Sequence, residues 1–526
     1  MSDDCPVLII GGGLAGLAAA TFLGLRGVRA VVAERHPSTS IHPRARGQVP
    51  LTMEALRAAG VDQQMRDASP DDRLSVVIAE SLAGPEIFAH VADELPDFSR
   101  YSDAGWAMAS QERAERILAD RAAELGADLR FGTEATLVRT GESGHAEVSL
   151  LDRRTGSATT IRPAYVVAAD GHRGRTREAV GIGRSGRGVL STAMSIVFEA
   201  DLDRVLRGRR VVLYHMRGPL PGATFVTTDD PRRHNVHVGI GDGEWTTGRC
   251  AEAVRVVTGL PDLEVKVLSY APWDTAAWVA DRFADASGRV FLIGDAARVM
   301  PPTGGMGGNS AILDAFSLAW KLAMVVRGEA GAGLLASHDA ERRPYATELV
   351  EQQYTQLVAR VSPQRADDTV AAAIEPARFL FGFRYLHGAF TPAHDGEQYE
   401  NPDTPGGAPG SRLPLLPPAA DPHGYDLALL TPVPEWAHEA SVIAGRLGIP
   451  LDVRLLPSDG GTGAWTDRAR IGAQGAVLIR PDRFIAWRST TGADPSGFER
   501  ALRAIFDRCA PSASCSAIPG ASTSQT

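Results

Sequence analysis

The chain has 526 residues, of which 44% are hydrophobic and 22% charged, a composition typical of a globular protein with two to four structural units. Its net charge of −9 argues against a nucleic-acid partner. No apolar run reaches the ~18 residues of a membrane span, residues 1–5 are too acidic for a signal peptide, and the four cysteines form no CxxC pair. We therefore expect a cytoplasmic protein without a metal site.

A glycine-rich turn follows the first apolar run. Residues 6–10 are typical of a buried parallel strand, and Gly11, Gly13 and Gly16 follow with the spacing G-x-G-x-x-G. In such a turn the first glycine permits a tight bend, the second lets the backbone approach a pyrophosphate, and the third lets a helix pack on the strand. The sequence predicts that helix over 14–25.

A second strand and an acidic residue complete the pattern of a dinucleotide site. We expect the helical amides of Leu14 and Ala15 to face the phosphates. Residues 28–33 predict the strand, and Glu34 ends it where a carboxylate can bind ribose hydroxyls. Glu34 and its neighbour Arg35 are therefore predicted cofactor contacts. This pattern alone does not separate NAD from FAD.

Two later stretches favour FAD. Asp170 and Gly171 follow one apolar run, and Asp295 follows another over residues 290–293. Side chains at the carboxyl ends of parallel strands are placed to meet ligands. Asp295 can accept hydrogen bonds from sugar or ribityl hydroxyls.

A glycine-rich loop follows over residues 301–309 and precedes a helix predicted over 310–326. Backbone N–H groups of such a loop can face a ring carbonyl or an anionic ring edge. Its predicted cofactor contacts are Pro302, Gly305, Gly307, Gly308 and Asn309. Because no second G-x-G-x-x-G directly follows an apolar strand as the first one does, we predict one FAD and no separate nicotinamide domain.

Several motifs together resemble one family, the class A flavoprotein aromatic hydroxylases with the p-hydroxybenzoate hydroxylase fold. Within it, the chain is most similar to actinobacterial aromatic polyketide hydroxylases, and the resemblance covers nearly the whole chain. The motifs that carry it are residues 40–45, Trp106–Met108 with Gln111, 168–173, 301–309, 318–322, 382–385 and 475–482.

The resemblance implies an α/β fold with a Rossmann-like, discontinuous FAD-binding domain. A mixed or antiparallel sheet is inserted as the substrate domain, consistent with the alternating runs 210–214 and 235–239, and a thioredoxin-like domain without CxxC follows. The expected boundaries are 1–183 and 285–390 for the FAD domain, 184–284 for the sheet, 391–411 for a linker, 412–509 for the third domain and 510–526 for a flexible tail.

The resemblance also implies the chemistry. FAD would be held tightly but non-covalently, reduced by NADPH or NADH, and would react with O2 to a C4a-hydroperoxyflavin that hydroxylates a polycyclic phenol. Arg44, or Arg46, would lie at the pyrophosphate or beside the ring, and Gln111 would contact the phosphates or ribityl chain. Asp170 and Gly171 would serve both FAD and the nicotinamide. We expect a monomer or homodimer without a membrane partner.

The residues of the reaction itself are harder to identify. A phenol has a pKa near ~10, so a nearby cation could suffice to favour the phenolate. Arg384 with Tyr385 is the candidate, together with Arg44; a structural ion pair and a packed aromatic are the alternative. The substrate pocket is predicted at Tyr214, Phe225, Trp245, Pro302 and Thr303, although core packing explains any of these aromatic residues as well.

Three positions depart from the family pattern: Arg298 replaces a frequent histidine, Gly174 a frequent serine, and Arg483 a glycine. None removes a group needed for FAD. A Baeyer–Villiger or oxidative-rearrangement enzyme on the same fold remains open. So does a catalytically silent flavoprotein that binds a pathway intermediate, although the complete 301–309 loop disfavours it.

Overall fold

A computed structural model describes residues 5–40, 46–69, 75–91, 95–140, 145–207, 213–220, 222–392, 396–416, 426–456 and 465–508. Two compact units divide the chain. The first consists of Met1–Ala323 and His338–Phe383, and the second of Met324–Ser337 and Arg384–Thr526. The predicted tail, 510–526, lies outside the described residues.

The strands, in chain order, are β1 Val7–Ile10, β2 Ala30–Glu34, β3 Arg46–Gln48, β4 Ser75–Ala79, β5 Glu86–Val91, β6 Ala107–Ser110, β7 Asp128–Phe131, β8 Thr133–Thr140, β9 Ala146–Asp152, β10 Ala158–Ile161, β11 Tyr165–Ala168, β12 Arg184–Glu199, β13 Leu213–Met216, β14 Thr224–Thr227, β15 Arg233–Gly239, β16 Lys266–Ala280, β17 Val290–Leu292, β18 Arg298–Val299, β19 Ala428–Thr431, β20 Asp452–Leu455, β21 Ala476–Ile479 and β22 Ile485–Ser489.

The α-helices are α1 Leu14–Leu25, α2 Pro50–Ala58, α3 Asp62–Asp67, α4 Gln111–Glu124, α5 Thr176–Ala179, α6 Asp203–Leu206, α7 Thr247–Thr258, α8 Met306–Val326, α9 Ser337–Arg360, α10 Pro376–Phe381, α11 Pro434–Leu447, α12 Trp465–Arg468 and α13 Pro495–Ile505. Short 3-10 turns occur at Gly294–Ala296, Pro302–Gly304, Ala332–Ala336 and Pro363–Arg365.

A five-stranded parallel sheet forms the centre of the first unit, with strand order β17-β11-β1-β2-β7. Its strands β1, β11 and β17 are buried along their whole length, as a parallel sheet covered on both faces requires. Helix α1 has the predicted bounds and connects β1 to the neighbouring β2. Strands far apart in sequence therefore meet side by side.

An eight-stranded mixed sheet also belongs to the first unit, in the order β18-β16-β12-β15-β14-β13-β4-β5. Its pairs are antiparallel except for β13 with β4. One face carries an apolar cluster that includes residues of α7. The sheet takes β4 and β5 from a part of the chain that sequence reasoning gave to the FAD domain. A three-stranded sheet, β10-β9-β8, and the pair β3-β6 complete this unit.

The second unit contains a four-stranded sheet in the order β20-β19-β21-β22. The aromatic rings of Trp436, Trp487 and Phe498 pack together from α11, β22 and α13. The strands predicted near 426–430 and at 476–479, and the helix near 436–447, are all present.

Among the described residues, one helix, α8, is long and apolar enough to cross a membrane, and 83% of its apolar window is buried inside the protein. The sequence predicted this helix four residues later, from Ser310. Its true start places Gly307, Gly308 and Asn309 in the first helical turn rather than in the preceding loop.

Candidate active site

Four neighbouring strands of the parallel sheet end in predicted site residues. Gly11 follows β1, Glu34 ends β2, Asp170 lies two residues past β11, and the Gly294–Ala296 turn begins two residues past β17. Because these strands are parallel neighbours, their carboxyl ends share one edge of the sheet, where open α/β sheets bind ligands. Stretches separated by more than a hundred residues in sequence thus form one site.

The turn after β1 admits only glycine at two positions. Gly11 has a φ of +106°, and a side-chain Cβ there would lie 2.3 Å from the carbonyl oxygen of Ala169. A Cβ on Gly16 would lie 1.9 Å from the carbonyl oxygen of Gly11. Gly13 has 3.7 Å of clearance to the nearest heavy atom, an oxygen of Glu115. Its missing side chain therefore leaves room for a ligand rather than for the protein.

The first turn of α1 is free to bind an anion. Gly13 is its N-cap and supplies no side-chain hydrogen bond, and no acidic residue lies in the first turn. The first N–H groups of a helix have no intrahelical acceptor, and the helix dipole favours negative charge there. The amides of Leu14, Ala15 and Gly16 are thus available to a phosphate, which fits the FAD pyrophosphate.

Glu34 is held at the mouth of this turn. One carboxylate oxygen accepts a hydrogen bond of 2.7 Å from the Gly12 amide, and the other accepts 2.8 Å from the His36 amide. Each oxygen keeps a further lone pair, so the carboxylate is oriented while remaining able to accept ribose hydroxyls. Arg35 is exposed, and its Nε contacts the His36 ring.

Gln111 lies at the start of α4 and is tied to a residue that sequence reasoning missed. Its amide donates 2.7 Å to Glu115, which also accepts from the Ser40 amide. Glu115 is only 1% exposed and lies beside Gly13. A Gln-x-x-x-Glu spacing on one helix face was the available signal. Arg44 lies outside the described residues.

Arg46 is engaged with another part of the protein. It pairs with Asp229 at 2.5 Å, and Ser110 and Arg113 contact the same carboxylate. Burial opposes ionisation, but the Ser110 hydroxyl and the two guanidinium groups hold the pKa of Asp229 below its ordinary value. This ion pair fixes β3 and α4 against the end of β14, so its observed role is positioning.

The two carboxylate oxygens of Asp170 differ in their hydrogen bonds. One oxygen accepts from the amide and the hydroxyl of Thr176 at 3.0 and 2.8 Å, whereas the other is buried without a partner in the described structure. Burial raises the pKa of this carboxyl. Gly174 is needed here, because a Cβ on it would lie 2.1 Å from the Asp170 carboxyl carbon. The departure from the frequent serine therefore accommodates Asp170.

The turn after β17 contacts the first glycine turn directly. Gly294 has a φ of +60°, and a Cβ on it would lie 2.9 Å from the Ala15 side chain. Asp295 is exposed in this turn. The structure thus brings Asp295 to the same sheet edge as α1, as its predicted role requires.

A buried charge cluster lies behind this turn. Asp314 on α8 is fully buried and accepts from the Gly294 amide at 3.0 Å, from Arg298, and from Arg342 Nε at 2.8 Å. Arg298 also contacts Ser310. Although burial opposes ionisation, Arg298 and Arg342 hold the pKa of Asp314 below its ordinary value. Arg298, noted only as a departure from the family, thus joins β18 to α8.

The Pro302–Gly304 turn is fastened at both ends. The Thr303 hydroxyl donates 2.7 Å to the carbonyl of Gln353 on α9. Asn309 donates to the carbonyls of Gly47 and Gly305 and accepts from the Val49 amide, each at 3.0 Å. Because both amide hydrogens of Asn309 are used, its side chain positions the turn and has no donor left for a cofactor. A direct cofactor contact of Asn309 through its backbone amide stays a prediction.

Pro302, Gly304 and Gly305 are exposed in this turn, and Gly307 and Gly308 are half-buried in the first turn of α8. Gly305 has a φ of +65° and ends the 3-10 turn. A helix start and an exposed glycine turn can both present N–H groups to a ring carbonyl.

Three aromatic residues that the sequence assigned to the substrate pocket lie in or against an apolar core cluster. Tyr214 and Phe225 are at most 1% exposed and belong to the apolar cluster beneath the eight-stranded sheet. Trp245 packs on the same cluster, bonds the Ile240 carbonyl at 2.7 Å and lies under Arg249. Tyr214 and Phe225 pack the core because their strand positions face α7, and Trp245, which precedes α7, packs against the same cluster. This face of the sheet is therefore occupied by the apolar core.

Arg384 and Tyr385 belong to the second unit. Tyr385 is buried, with its ring 4.4 Å from Phe484 and near the Arg480 guanidinium. The Arg384 amide donates to the Gln398 carbonyl. This packing gives Tyr385 a structural role within its unit, and a catalytic role for the pair stays a prediction.

Two known protein families match most of this chain. The family described as "FAD binding domain" matches residues 4–353, and the one described as "Aromatic-ring hydroxylase, C-terminal" matches residues 423–509. Aklavinone 12-hydroxylase of Streptomyces purpurascens is 36% identical over 97% of this chain and 100% of its own length. Tetracenomycin B2 monooxygenase-dioxygenase of Streptomyces olivaceus is 36% identical over 93% and 96%.

A solved structure shows the same architecture. The crystal structure of aklavinone-11 hydroxylase in a ternary complex with FAD and aklavinone aligns with a TM-score of 0.85 and 34% identity. The alignment covers 96% of this chain and 99% of that one. The fold class predicted from sequence is therefore confirmed over nearly the whole chain.

Proposed function

The chain belongs to the FAD-dependent aromatic-ring hydroxylases, and on that premise we propose that it adds one oxygen atom from O2 to a polycyclic phenolic polyketide, with NADPH or NADH as the transient reductant. The observation that carries the proposal is the single sheet edge at which the turns after β1, β11 and β17 and the carboxylate of Glu34 meet. Full-length similarity to an aklavinone hydroxylase and to a tetracenomycin monooxygenase-dioxygenase supports the substrate class.

The residues at this edge fit FAD. The uncapped start of α1 suits a pyrophosphate, Glu34 suits a ribose, and Asp170 has a buried oxygen without a partner in the described structure. When bound, FAD supplies the electron transfer and oxygen activation of the reaction. The protein's own contribution is to bind the cofactor, orient the aromatic ring and exclude water.

The positioning residues act on two turns at this sheet edge. Asn309 and Thr303 fasten the Pro302–Gly305 turn to β3 and α9, and the Asp314 cluster fastens the Gly294 turn to α8. A fixed turn holds its backbone donors in place before the reaction, so little reorganisation is needed during it. We also propose that the protein acts in the cytoplasm, because its relatives are biosynthetic enzymes.

The test is oxygen-dependent NADPH oxidation by FAD-loaded protein, with and without aklavinone and related anthracyclinone phenols. Ligand-stimulated oxidation with a product heavier by one oxygen atom is the expected result, and ¹⁸O2 should label it. NMR of the product then distinguishes a ring hydroxyl from a lactone. A flavin-loaded protein that binds these phenols but neither accelerates NADPH oxidation nor changes them would overturn the proposal.

A further inference from the structure

The two faces of the eight-stranded sheet differ in chemistry. Pairing across the strands puts Ser195, His237, Thr224 and His215 in one row over β12, β15, β14 and β13. Directly opposed residues of antiparallel strands share a face. The next row, formed by Ile196, Val236, Phe225 and Tyr214, points to the opposite face and lies in the apolar cluster. We name the first set the polar row.

His237 is fixed within the polar row. Its Nδ1 lies 3.2 Å from the Thr224 hydroxyl, and its ring centroid lies 5.1 Å from that of Trp273. Trp273 opposes Ala193 on β12, two residues from Ser195, and so it shares this face. The hydrogen bond and the neighbouring aromatic ring together restrict the orientation of the His237 ring.

The second ring nitrogen of His237 is available to a ligand. In the described part of the chain its Nε2 has no hydrogen-bond partner, and the residue is only half-buried. His234, on the opposite face, is 1% exposed, and both of its ring nitrogens are buried without a hydrogen-bond partner in the described structure. The two histidines of one strand therefore differ: His234 packs the core, and His237 presents a polar atom.

The sheet that carries the polar row is attached to two of the turns at the cofactor edge. Arg173, just past Gly171, donates 2.9 Å to the carbonyl of Pro272, the residue before Trp273. On the same strand β16, Trp278 pairs with Val299 of β18, which leads into the Pro302–Gly304 turn. Because the opposite face is closed by the apolar cluster, the polar row lies on the face that a substrate can reach.

We propose that the polar row is the hydroxyl-recognition part of the substrate site, in which His237 Nε2 hydrogen-bonds a phenolic hydroxyl and Trp273 contacts the aromatic ring. Thr224 acts as a positioning residue that fixes the histidine through Nδ1. The inference rests on the proposed function, because it requires a phenolic substrate.

The ionisation of His237 defines what it can do. Burial lowers the pKa of this ring to about 4, so at neutral pH one nitrogen donates a hydrogen bond and the other accepts. A phenol with a pKa near ~10 would transfer its proton to such a ring with an equilibrium constant of about one in a million. His237 therefore orients the hydroxyl and does not remove its proton. The role is one of specificity.

The experiment compares two probes that differ by one hydroxyl, 2-naphthol and naphthalene, in binding to FAD-loaded protein. Dissociation constants come from the change in flavin absorbance. We expect the unaltered protein to prefer 2-naphthol by about tenfold. His237→Leu should reduce that preference to about one, His237→Gln should restore part of it through its amide, and Thr224→Val should reduce it partially.

The ratio of the two affinities separates recognition from a general loss of fold, because unfolding weakens both probes equally. His438→Leu, on an exposed position of α11, is the matched control and should leave the ratio unchanged. An unchanged ratio in His237→Leu, or no preference in the unaltered protein, overturns the inference. The NADPH oxidation assay tests the proposed function separately. If the unaltered protein shows no ligand-stimulated NADPH oxidation, the proposed function fails, whatever the affinity ratio is.

Discussion

Two turns at the same sheet edge are held in different ways. The turn after β1 depends on absent side chains, since Gly11 and Gly16 leave no room for a Cβ. The turn after β17 depends on buried charge, since Asp314 holds the Gly294 amide and two arginines. The first device is steric and acts through the close approach of backbone segments. The second is electrostatic and joins three elements, so the two turns should fail under different changes.

The largest expected effect is on the buried charge. Asp314→Asn removes the carboxylate that pairs with Arg298 and Arg342 and leaves their charges buried, which costs about 3–5 kcal/mol of unfolding free energy. Urea unfolding of the apoprotein measures it. The matched control is Glu199→Gln, which breaks the exposed pair with Lys266 and should cost under about 1 kcal/mol. Equal effects of the two changes would contradict a stabilising cluster.

The second-largest expected effect is a loss of stability at low pH near the turn after β17. Burial lowers the pKa of His338, which bonds the β17 carbonyl of Leu292, to about 4. Below its ordinary value of 6.5 the unfolded chain takes up a proton here that the folded protein does not. Stability therefore falls as pH decreases from 6.5 to 4, by roughly 3 kcal/mol.

The contribution of His338 is isolated by His338→Gln, whose amide can still donate to Leu292. Urea midpoints of both proteins between pH 7 and 4 give the comparison. The variant should lose less stability over this interval, whereas His234 and His237 titrate alike in both proteins. Parallel pH profiles would show that His338 does not carry the effect.

Two glycines distinguish packing from ligand clearance in the first turn. Gly16→Ala places a Cβ against the Gly11 carbonyl and should cost the apoprotein about 1–3 kcal/mol. Gly13→Ala meets no protein atom within 3.7 Å, so apoprotein stability should hold while FAD affinity falls. Thermal unfolding and FAD titration measure the two effects. Loss of stability in Gly13→Ala without loss of FAD affinity would reverse the assignment.

The smallest expected effect concerns Glu34. Glu34→Gln keeps an acceptor for the Gly12 amide but removes the charge that strengthens bonds to ribose hydroxyls, so FAD should bind about tenfold more weakly. Apoprotein titrated with FAD, followed by flavin fluorescence, gives the dissociation constant. Glu124→Gln, exposed at the end of α4, should leave that constant unchanged. Unaltered FAD affinity in Glu34→Gln would exclude a ribose contact.

The sequence predicted what is local in the chain. Helix α1 and the strand β21 have the predicted bounds because apolar runs and glycines mark them within a few residues. The start of α8 was placed too late because Gly307 and Gly308 are poor helix formers, whereas the preceding Gly305 with positive φ begins a new element. Helix starts set by such a turn cannot be found from propensity.

The parts missed depend on contacts between distant elements. Asp314, Arg298 and Arg342 carry no common motif, and only packing of α8 and α9 brings them together. Tyr214 and Phe225 were chosen by residue type, but the face of a strand decides the role. Polar residues alternating with Tyr214 and Phe225, at His215 and Thr224, were the available signal for the other face.

The strand order of the central sheet also affects how the protein folds during its synthesis. β1 can pair with β2 once 34 residues exist, but its other neighbour β11 begins at Tyr165, and β17 follows only at Val290. At roughly 5–20 residues per second, a translating ribosome needs on the order of half a minute to pass from Glu34 to Val290. Until β11 is made, the inner strand β1 lacks one of its two neighbours, and an unpaired strand edge of this kind favours aggregation.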